Sequence, residues 1–278
     1  MDYRLLGPLS LRGDNGAGVL SAAKQRQLLA LLLLHANQIV PVTSIVREVW
    51  NDEVPPSSHA TVQTYVLRLR KVLAAAAGVT ARRVSTEMLV TRTGGYLLRV
   101  APGALDVHRF EQLAAEGRRA LSTGDHRGAA AVFGESLRIW RGPVLVDVPA
   151  GRLLEVHVAR LTECQLTVRQ QLFEAQLNLG LHYEILGEVT ALAAEHPLQE
   201  NIHAQLMLAL YRCGRRPDAL AVFQRLREYL VGELGLEPSA KMQRLHHAIL
   251  VADPVLDGPP PRSDGLVLDR FSVVAGAR

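Results

Sequence analysis

Residues Ser57–Tyr96 read SSHATVQTYVLRLRKVLAAAAGVTARRVSTEMLVTRTGGY, and this stretch decides the fold. Apolar residues recur in its first half at intervals of three and four, the spacing that gives a helix one buried face. They are Val62, Val66, Leu69 and Leu73. Ser57 and Ser58 precede them and are predicted to cap the helix, because a serine hydroxyl can accept from the first free N–H groups.

The opposite face of this helix is predicted to carry short polar and cationic side chains. Its centre holds Thr61, Thr64, Arg68 and Lys71, and its shoulders hold Gln63, Tyr65 and Arg70. Arginine can donate two N–H groups to guanine, a threonine methyl can meet a thymine methyl, and flanking cations can bind phosphates. A surface helix with merely solvated charges has the same pattern, so the helix alone leaves both interpretations open.

The residues after this helix favour DNA binding. They predict a strand pair, Arg83–Arg92 and Tyr96–Val100, with a turn at Thr93-Gly94-Gly95. Arg92 lies next to the turn, where an extended cation can enter a minor groove. A polar, cationic helix followed by a hairpin with arginine at its tip is typical of a nucleic-acid-binding unit.

The segment before the helix predicts the rest of a small DNA-binding domain. Short strands are expected within residues 3–20, and a first helix at 22–36 whose leucines cover more than one face must be enclosed by partners. At its start, Lys24 and Arg26 can either reach a phosphate or remain solvated. A second helix is expected at Thr43–Trp50, followed by a loop over residues 51–56.

The basic residues are concentrated in the first hundred positions. Residues 1–100 hold 12 Lys and Arg against 6 Asp and Glu, a net charge of +6, whereas residues 101–278 hold 19 against 21, a net charge of −2. This asymmetry suits nucleic-acid binding by the first part alone, although an excess of this size is weak evidence by itself.

After Pro102-Gly103 the strand-like alternation stops and helical patterns follow, so we place a domain boundary at about 101–105. Gly180 and Gly214 are 34 residues apart, and each lies at a predicted turn between helices. A period of 34 is that of tetratricopeptide repeats, in which each helix pair packs on the next. A generic helical bundle is the alternative. Residues 253–278 are predicted to be a flexible tail with an apolar patch at Leu266–Val274.

Several long motifs resemble one family of regulators. VQTYVLRLRKVL (62–73) and VTRTGGYLL (90–98) resemble the recognition helix and wing of OmpR-type winged-helix domains. With AAKQRQLLALLLLHAN (22–37) and the helical segment after residue 105, the chain is identified as a member of the Streptomyces antibiotic regulatory protein family of transcriptional activators. The resemblance covers about residues 1–254. It implies a mainly α chain: a winged helix-turn-helix domain at 1–101, with a small N-terminal sheet and a β-hairpin wing, then an all-α tetratricopeptide-like bacterial transcriptional activation domain at 105–252.

The resemblance also implies roles for individual residues. Thr61, Thr64 and Arg68 would read base edges, Tyr65, Arg70 and Lys71 would hold phosphates, and Arg92 would probe the minor groove. In the family the loop that here holds Asp52 and Glu53 contacts RNA polymerase, and a solvated loop is the alternative for this chain. Two copies would bind direct repeats of double-stranded DNA head to tail. Leu67 departs from the pattern, because winged-helix relatives often carry a cation there, so one backbone contact is in doubt.

No catalytic or cofactor motif is present in the sequence. There is no Gly-rich phosphate loop, no GxSxG motif and no set of metal ligands around His182, Glu184 and His196 or at His246-His247, so we expect neither an enzyme nor a cofactor. Cys164 and Cys213 are interpreted as reduced core thiols. The run Leu28–Leu34 is far shorter than the ~20 residues that span a bilayer, and no export signal is apparent. A cytoplasmic protein with no membrane partner is expected.

The sequence thus predicts a DNA-binding activator of a biosynthetic gene cluster. Two alternatives remain open. In one, the helical repeat is a peptide- or ligand-binding adaptor that the winged helix tethers to DNA. In the other, the same DNA surface serves a repressor.

Overall fold

Two three-stranded antiparallel sheets frame the predicted helix within residues 1–51 and 53–258, the part of the chain that the computed structural model describes. The first sheet has the order β1 (Asp2–Arg4), β2 (Ser10–Gly13), β3 (Gly16–Gly18), with Tyr3 opposite Leu11. The second has the order β4 (Ile39–Pro41), β6 (Gly95–Leu98), β5 (Leu89–Arg92), with Tyr96 opposite both Val40 and Thr91.

Three helices pack between these sheets: α1 (Ala23–Leu34), α2 (Val42–Trp50) and α3 (Ser58–Ala77). Residues Leu28–Leu33 of α1 are all fully buried, as expected for a helix that is apolar on most sides. The predicted apolar face of α3 is buried as well, at Val62, Val66, Leu69 and Leu73. Gly78 ends α3 with a φ of +67°, a left-handed conformation that glycine adopts without steric cost.

Eight further helical segments follow in the described residues. They are α4 (Ala81–Arg83), α5 (Asp106–Ser122), α6 (His126–Arg138), α7 (Arg152–Asn178), α8 (His182–Glu195), α9 (Glu200–Arg212), α10 (Arg216–Leu234) and α11 (Ala240–Val251). The predicted fold class, mainly α with an N-terminal winged helix and a helical domain, is confirmed.

The same termination recurs at three turns between helices. Gly124, Gly180 and Gly214 have φ values of +77°, +75° and +73°. At each turn the N–H of the residue after glycine donates to a carbonyl five residues earlier, at 2.9 Å in all three cases. This is the Schellman motif, in which a left-handed glycine lets the chain satisfy the last carbonyls of the helix. The repeated turn is the structural basis of the 34-residue spacing.

Contacts divide the chain into two compact units. The first comprises residues 1–115 and 135–166, and the second comprises residues 116–134 and the described residues from Thr167 onward. The boundary predicted at 101–105 stays a prediction, since this partition cuts through α5, α6 and α7 instead.

Within the first unit, two buried acids bind backbone N–H groups far away in sequence. Asp106 accepts from the N–H groups of Leu5 and Leu6 at 2.9–3.0 Å. Glu48, at the end of α2, is fully buried and accepts from Gly151 N–H at 2.6 Å and from the N–H groups of Leu153 and Leu154 at 2.8 and 3.2 Å. Glu48 therefore caps the first turn of α7, because it satisfies N–H groups that have no partner within the helix.

The predicted strand Arg83–Arg92 is wrong in its first half. Residues Val84–Met88 form a π-helical turn, and β5 begins only at Leu89. The hydroxyls of Ser85 and Thr86 donate to the carbonyl of Arg82 there, so β-branched composition imitated a strand where local hydrogen bonds favour a turn. Residues 144–147 also form a turn: Leu145 has a φ of +51°, and its N–H donates to the carbonyls of Leu5 and Gly7.

The start of the predicted tail is ordered in the second unit, which corrects the flexible interpretation for residues 253–258. Pro254–Leu256 form a 3-10 turn that Asp253 caps by accepting from Val255 N–H at 3.0 Å. Leu256 is buried, and its carbonyl accepts from Arg212 Nε at 2.8 Å. Residues 259–278, including the predicted patch Leu266–Val274, lie outside the described residues.

Candidate nucleic-acid interface

The exposed face of α3 brings together the residues predicted to read bases. Arg68 and Lys71 are exposed there, and in the described part of the chain neither forms a hydrogen bond or ion pair. Thr61 and Thr64 lie on the same face, and their hydroxyls donate to the carbonyls of Ser57 and Ala60 at 3.0 and 3.1 Å. This face therefore presents two free cations one to two turns beyond two threonines whose donor protons are already used.

The start of α3 differs from the predicted cap. Ser57 occupies the N-cap position, but its side chain makes no capping hydrogen bond, and Ser58 is buried. The carbonyl of Ser57 instead accepts from both the N–H and the hydroxyl of Thr61. The capping prediction was wrong because the Ser57 backbone, with a ψ of 5°, is not in the extended conformation that directs a cap side chain at the helix end.

The hairpin of β5 and β6 forms the predicted wing. Arg92 pairs with Gly95 across its tip, and Arg92, Thr93 and Gly94 are all exposed. Gly94 has a φ of +78° and its carbonyl accepts from Val42 N–H at 3.0 Å, which ties the tip to the start of α2. The guanidinium of Arg92 forms no hydrogen bond or ion pair with any described residue, so it is available to a ligand.

Two of the predicted phosphate-binding cations are paired within the fold. Arg70 donates from Nε and Nη2 to the Leu89 carbonyl at 3.0 and 2.9 Å, and from Nη2 to Thr91 Oγ1 at 2.8 Å. Burial lowers the pKa of Arg70 from its ordinary value, against a smaller opposing effect of Tyr96. Arg26 forms an ion pair with Asp147. Arg70 thus joins α3 to the wing.

A stack of side chains joins the three helices of the winged domain at this surface. The ring of Tyr65 on α3 is stacked on Trp50 at the end of α2, with centroids 6.2 Å apart and planes 11° apart. Lys24 Nζ, at the start of α1, lies 4.8 Å from the Trp50 ring centroid. A cation over an aromatic face is stabilised by ~0.5–1 kcal/mol at an exposed site, so Trp50 restricts where the ammonium lies.

Sequence reasoning missed the role of Trp50, and only its position directly before the 51–56 loop could have suggested it. In that loop Glu53 is exposed, and Asp52 lies outside the described residues. Among the described residues, no helix is long and apolar enough to cross a membrane. Nor do those residues contain a group of three or more His, Cys, Asp or Glu side chains that could hold a metal ion.

Comparison with known proteins identifies both parts of the chain. Residues 16–98 match the family described as "Transcriptional regulatory protein, C terminal", and residues 105–250 match the "Bacterial transcriptional activator domain". The regulatory protein DnrI of Streptomyces peucetius is 45% identical over 94% of this chain and 96% of its own length. The chain belongs to the Streptomyces antibiotic regulatory protein family. It is a transcriptional regulator of the activator type that this family comprises, and the relatives are regulators rather than enzymes.

Two further relatives have the same pair of parts within longer chains. The regulatory protein AfsR of Streptomyces coelicolor is 38% identical over 91% of this chain, which spans only 24% of AfsR. The structure of Mycobacterium tuberculosis EmbR in complex with a low affinity phosphopeptide superposes with a TM-score of 0.84 at 31% identity, over 91% of this chain and 65% of that one. This family member therefore has the fold of the matched part of EmbR.

Proposed function

We propose that this family member is a sequence-specific DNA-binding activator, acting on a secondary-metabolite biosynthetic gene cluster, and that α3 enters the major groove of its promoter sites. The observation that carries the proposal is the pair of exposed, unpartnered cations Arg68 and Lys71 on the face of α3 opposite its buried side. These two like charges add no hydrogen bond or ion pair to the described part of the fold, whereas the phosphates that line a DNA groove attract both of them.

The hydrogen bonds and ion pairs of these residues favour new roles for some of the predicted DNA contacts. Arg68 would read guanine with two N–H donors, and Lys71 and Lys24 would hold phosphates. Arg92 would enter the adjacent minor groove. Thr61, Thr64 and Tyr65 keep their proposed contacts to bases and backbone. Arg70 would act indirectly, by fixing the angle between α3 and the wing, and Arg26 would stay paired with Asp147.

We also propose tandem binding of two copies, head to tail, on direct repeats beside a promoter, with RNA polymerase contacted alongside. A single winged helix covers few base pairs, and its phosphate-driven affinity falls steeply with salt, so a second copy is needed for occupancy. Direct repeats require a head-to-tail contact, because a two-fold dimer would match a palindrome. The exposed Glu53 supports a role for the 51–56 loop in the polymerase contact.

DNase footprinting on the promoters flanking the protein's own gene tests the proposal. We expect protection of direct repeats upstream of a promoter, with activation of transcription from it. Arg68→Ala should lose ~1–3 kcal/mol of affinity for the cognate site and relax its sequence preference. Lys71→Ala should weaken binding to all sequences alike. It should also reduce the slope of the log binding constant against log salt by about one, the contribution of one phosphate contact.

Arg118→Ala is the matched control, since it removes an exposed arginine from α5. We expect it to leave the footprint and the salt slope unchanged. If Arg68→Ala binds and activates like the unaltered protein, α3 does not read the promoter and the proposal is overturned. A footprint that overlaps the promoter and reduces transcription would instead identify a repressor acting through the same surface.

A second candidate function is peptide binding by the helical domain, and a groove in the second unit favours it. The groove has a volume of about 600 Å³ and lies between α7 and α9. Gln171 and Gln205 line it, and their Oε1 atoms are buried without accepting a hydrogen bond from any described residue. Buried acceptors of this kind are satisfied by donors such as the N–H groups of an extended peptide.

The groove variant Gln205→Leu separates the two candidates when it is tested beside Arg68→Ala. Loss of activation with an intact footprint would assign activation to the helical domain. A Gln205→Leu variant that folds normally and still activates would exclude the groove as the working surface.

A further inference from the structure

The DNA-facing side of α3 also carries a large apolar side chain, Leu67, which is 54% exposed. Successive residues of a helix are separated by ~100° around its axis, so Leu67 and Arg68 lie about 50° to either side of the line through Thr64 and Lys71. That line is directly opposite the buried residues of α3. Leu67 is therefore part of the same face as the two free cations and does not lie at the edge of the core.

Two neighbours extend this apolar surface along the helix. Ala60 is exposed, and the Thr64 hydroxyl donates to the Ala60 carbonyl at 3.1 Å, which directs that hydroxyl back against its own backbone. The methyl group of Thr64 is then the part of the side chain that faces outward. Ala60, Thr64 and Leu67 are spaced at i, i+4 and i+7, and we refer to them as the apolar strip.

A major groove offers one apolar group to such a strip. Each base pair presents a pattern of donors and acceptors there, and the thymine C5-methyl is the only hydrocarbon among them. Burying that methyl against Leu67 removes two apolar surfaces from water at once. Phosphates and the other base edges would instead require Leu67 to desolvate polar groups without pairing them.

We propose that the apolar strip reads thymine methyl groups, with Leu67 as a specificity-determining residue. The proposal rests on the proposed function, since it requires α3 to enter the major groove. It gives the departure at Leu67 a positive role. Where relatives with a cation gain a contact to the sequence-independent backbone, this chain gains a contact to particular bases. We therefore expect its sites to place thymines opposite the strip, next to the guanine that Arg68 reads.

Deoxyuridine substitution tests the proposal directly, because it removes the thymine methyl and changes no hydrogen-bonding group. Each thymine in the footprint is replaced in turn, and the dissociation constant is measured with the full-length protein. At one or two positions we expect affinity to fall about fourfold, the factor that corresponds to ~0.8 kcal/mol per buried CH₂. In Leu67→Ala, affinity for the thymine site should fall, and the difference between thymine and deoxyuridine should disappear at those positions.

Two variants serve as comparisons. Leu234→Ala removes a leucine of equal exposure, 53%, from α10, and it should keep the full deoxyuridine effect. Leu67→Lys should bind more tightly at low salt with a salt slope steeper by about one, while losing the deoxyuridine effect. Both residues are exposed, so neither substitution removes a core contact, and circular dichroism melting curves verify that the variants fold.

The outcomes separate this proposal from the proposed function. If deoxyuridine changes affinity by less than twofold at every thymine while Arg68→Ala still weakens binding, the methyl contact is refuted and DNA reading by α3 stands. If Arg68→Ala has no effect either, the proposed function itself fails. A deoxyuridine effect that persists in Leu67→Ala refutes the assignment to Leu67. Loss of activation by Leu67→Ala with unchanged DNA affinity would make Leu67 a protein contact, which also refutes it.

Discussion

Replacing Glu48 by glutamine should destabilise the first unit far more than the same replacement of an exposed glutamate. Glu48 is fully buried, and its carboxylate oxygens accept hydrogen bonds from four groups, all of them N–H donors. Three are the backbone N–H groups of Gly151, Leu153 and Leu154, and the fourth is Gln27 Nε2 at 3.1 Å. An amide of the same shape has one oxygen and one NH₂, so either orientation places a donor against two donors.

The magnitude follows from this count. Glu48→Gln loses two hydrogen bonds to a charged acceptor and leaves two N–H groups buried without a partner. A hydrogen bond to a charged group contributes ~1.5–3 kcal/mol, so we expect a loss of about 3 kcal/mol after partial relaxation. In urea denaturation with a slope of about 2 kcal/mol per molar, the midpoint should fall by about 1.5 M. Amide exchange should accelerate most at the first turn of α7.

Glu135→Gln is the matched control. Glu135 forms an ion pair with Arg109 at 2.8 Å, but the two side chains are 48% and 53% exposed. Exposed pairs contribute little, so the loss should stay below about 0.5 kcal/mol. If Glu48→Gln and Glu135→Gln shift the midpoint equally, or if protection at Leu153 and Leu154 is unchanged in Glu48→Gln, then the carboxylate does not hold α7 and the reasoning is refuted.

Three other predictions concern the turns, the wing and pH. Gly214→Ala should lower the free energy of unfolding by ~1–2 kcal/mol, because a residue with a Cβ is strained at a φ of +73°. Gly187→Ala, within α8 and facing open space, should raise it by ~0.5–1 kcal/mol. Equal shifts of the melting temperature in the two variants would contradict the role of Gly214 in the turn. Arg70→Ala should weaken DNA binding because the wing is misplaced, and it should leave the salt dependence of the binding constant unchanged. A weaker salt dependence, like that expected for Lys71→Ala, would show that Arg70 contacts phosphate. Burial, and then the nearby His35 and Arg160, lower the pKa of His157. As the pH falls, the unfolded chain therefore takes up this proton before the folded chain does, and the free energy of unfolding should decrease below pH ~6.5. Urea denaturation at pH 7.5 and 5.5 should show that a His157→Gln variant loses part of this dependence.

Helical periodicity was enough to predict the buried and exposed sides of α3. Val62 and Leu69 are buried because a helix with one apolar face packs that face against the core. Arg68, which lies on the opposite side of the helix, is then exposed. The turns at Gly180 and Gly214 were predictable for a similar local reason, since a left-handed helix end favours glycine. In each case the decisive interactions lie within a few residues of one another in sequence.

The features that could not be predicted depend on partners distant in sequence. In the sequence, Arg70 lies at a helical position suited to a phosphate contact. In the structure its guanidinium instead donates to the carbonyl of Leu89, 19 residues later. Glu48 looks like one more polar residue of a short helix, and its three backbone partners lie more than 100 residues away. The threonine hydroxyls of α3 illustrate a third limit, because sequence does not say whether such a side chain presents its oxygen or its methyl.

The end of α2 connects the proposed DNA contacts to the activation domain. Trp50 is stacked on Tyr65 of α3, and Glu48, two residues before Trp50, holds the first turn of α7. Two helical residues span ~3 Å, so the two contacts belong to one rigid turn of backbone. Any rotation of α3 that displaces Trp50 must therefore strain the cap on α7 or break it. On the proposed direct repeats, we expect each copy to present the start of α7 in the same orientation, which would give the proposed polymerase contact one repeated surface.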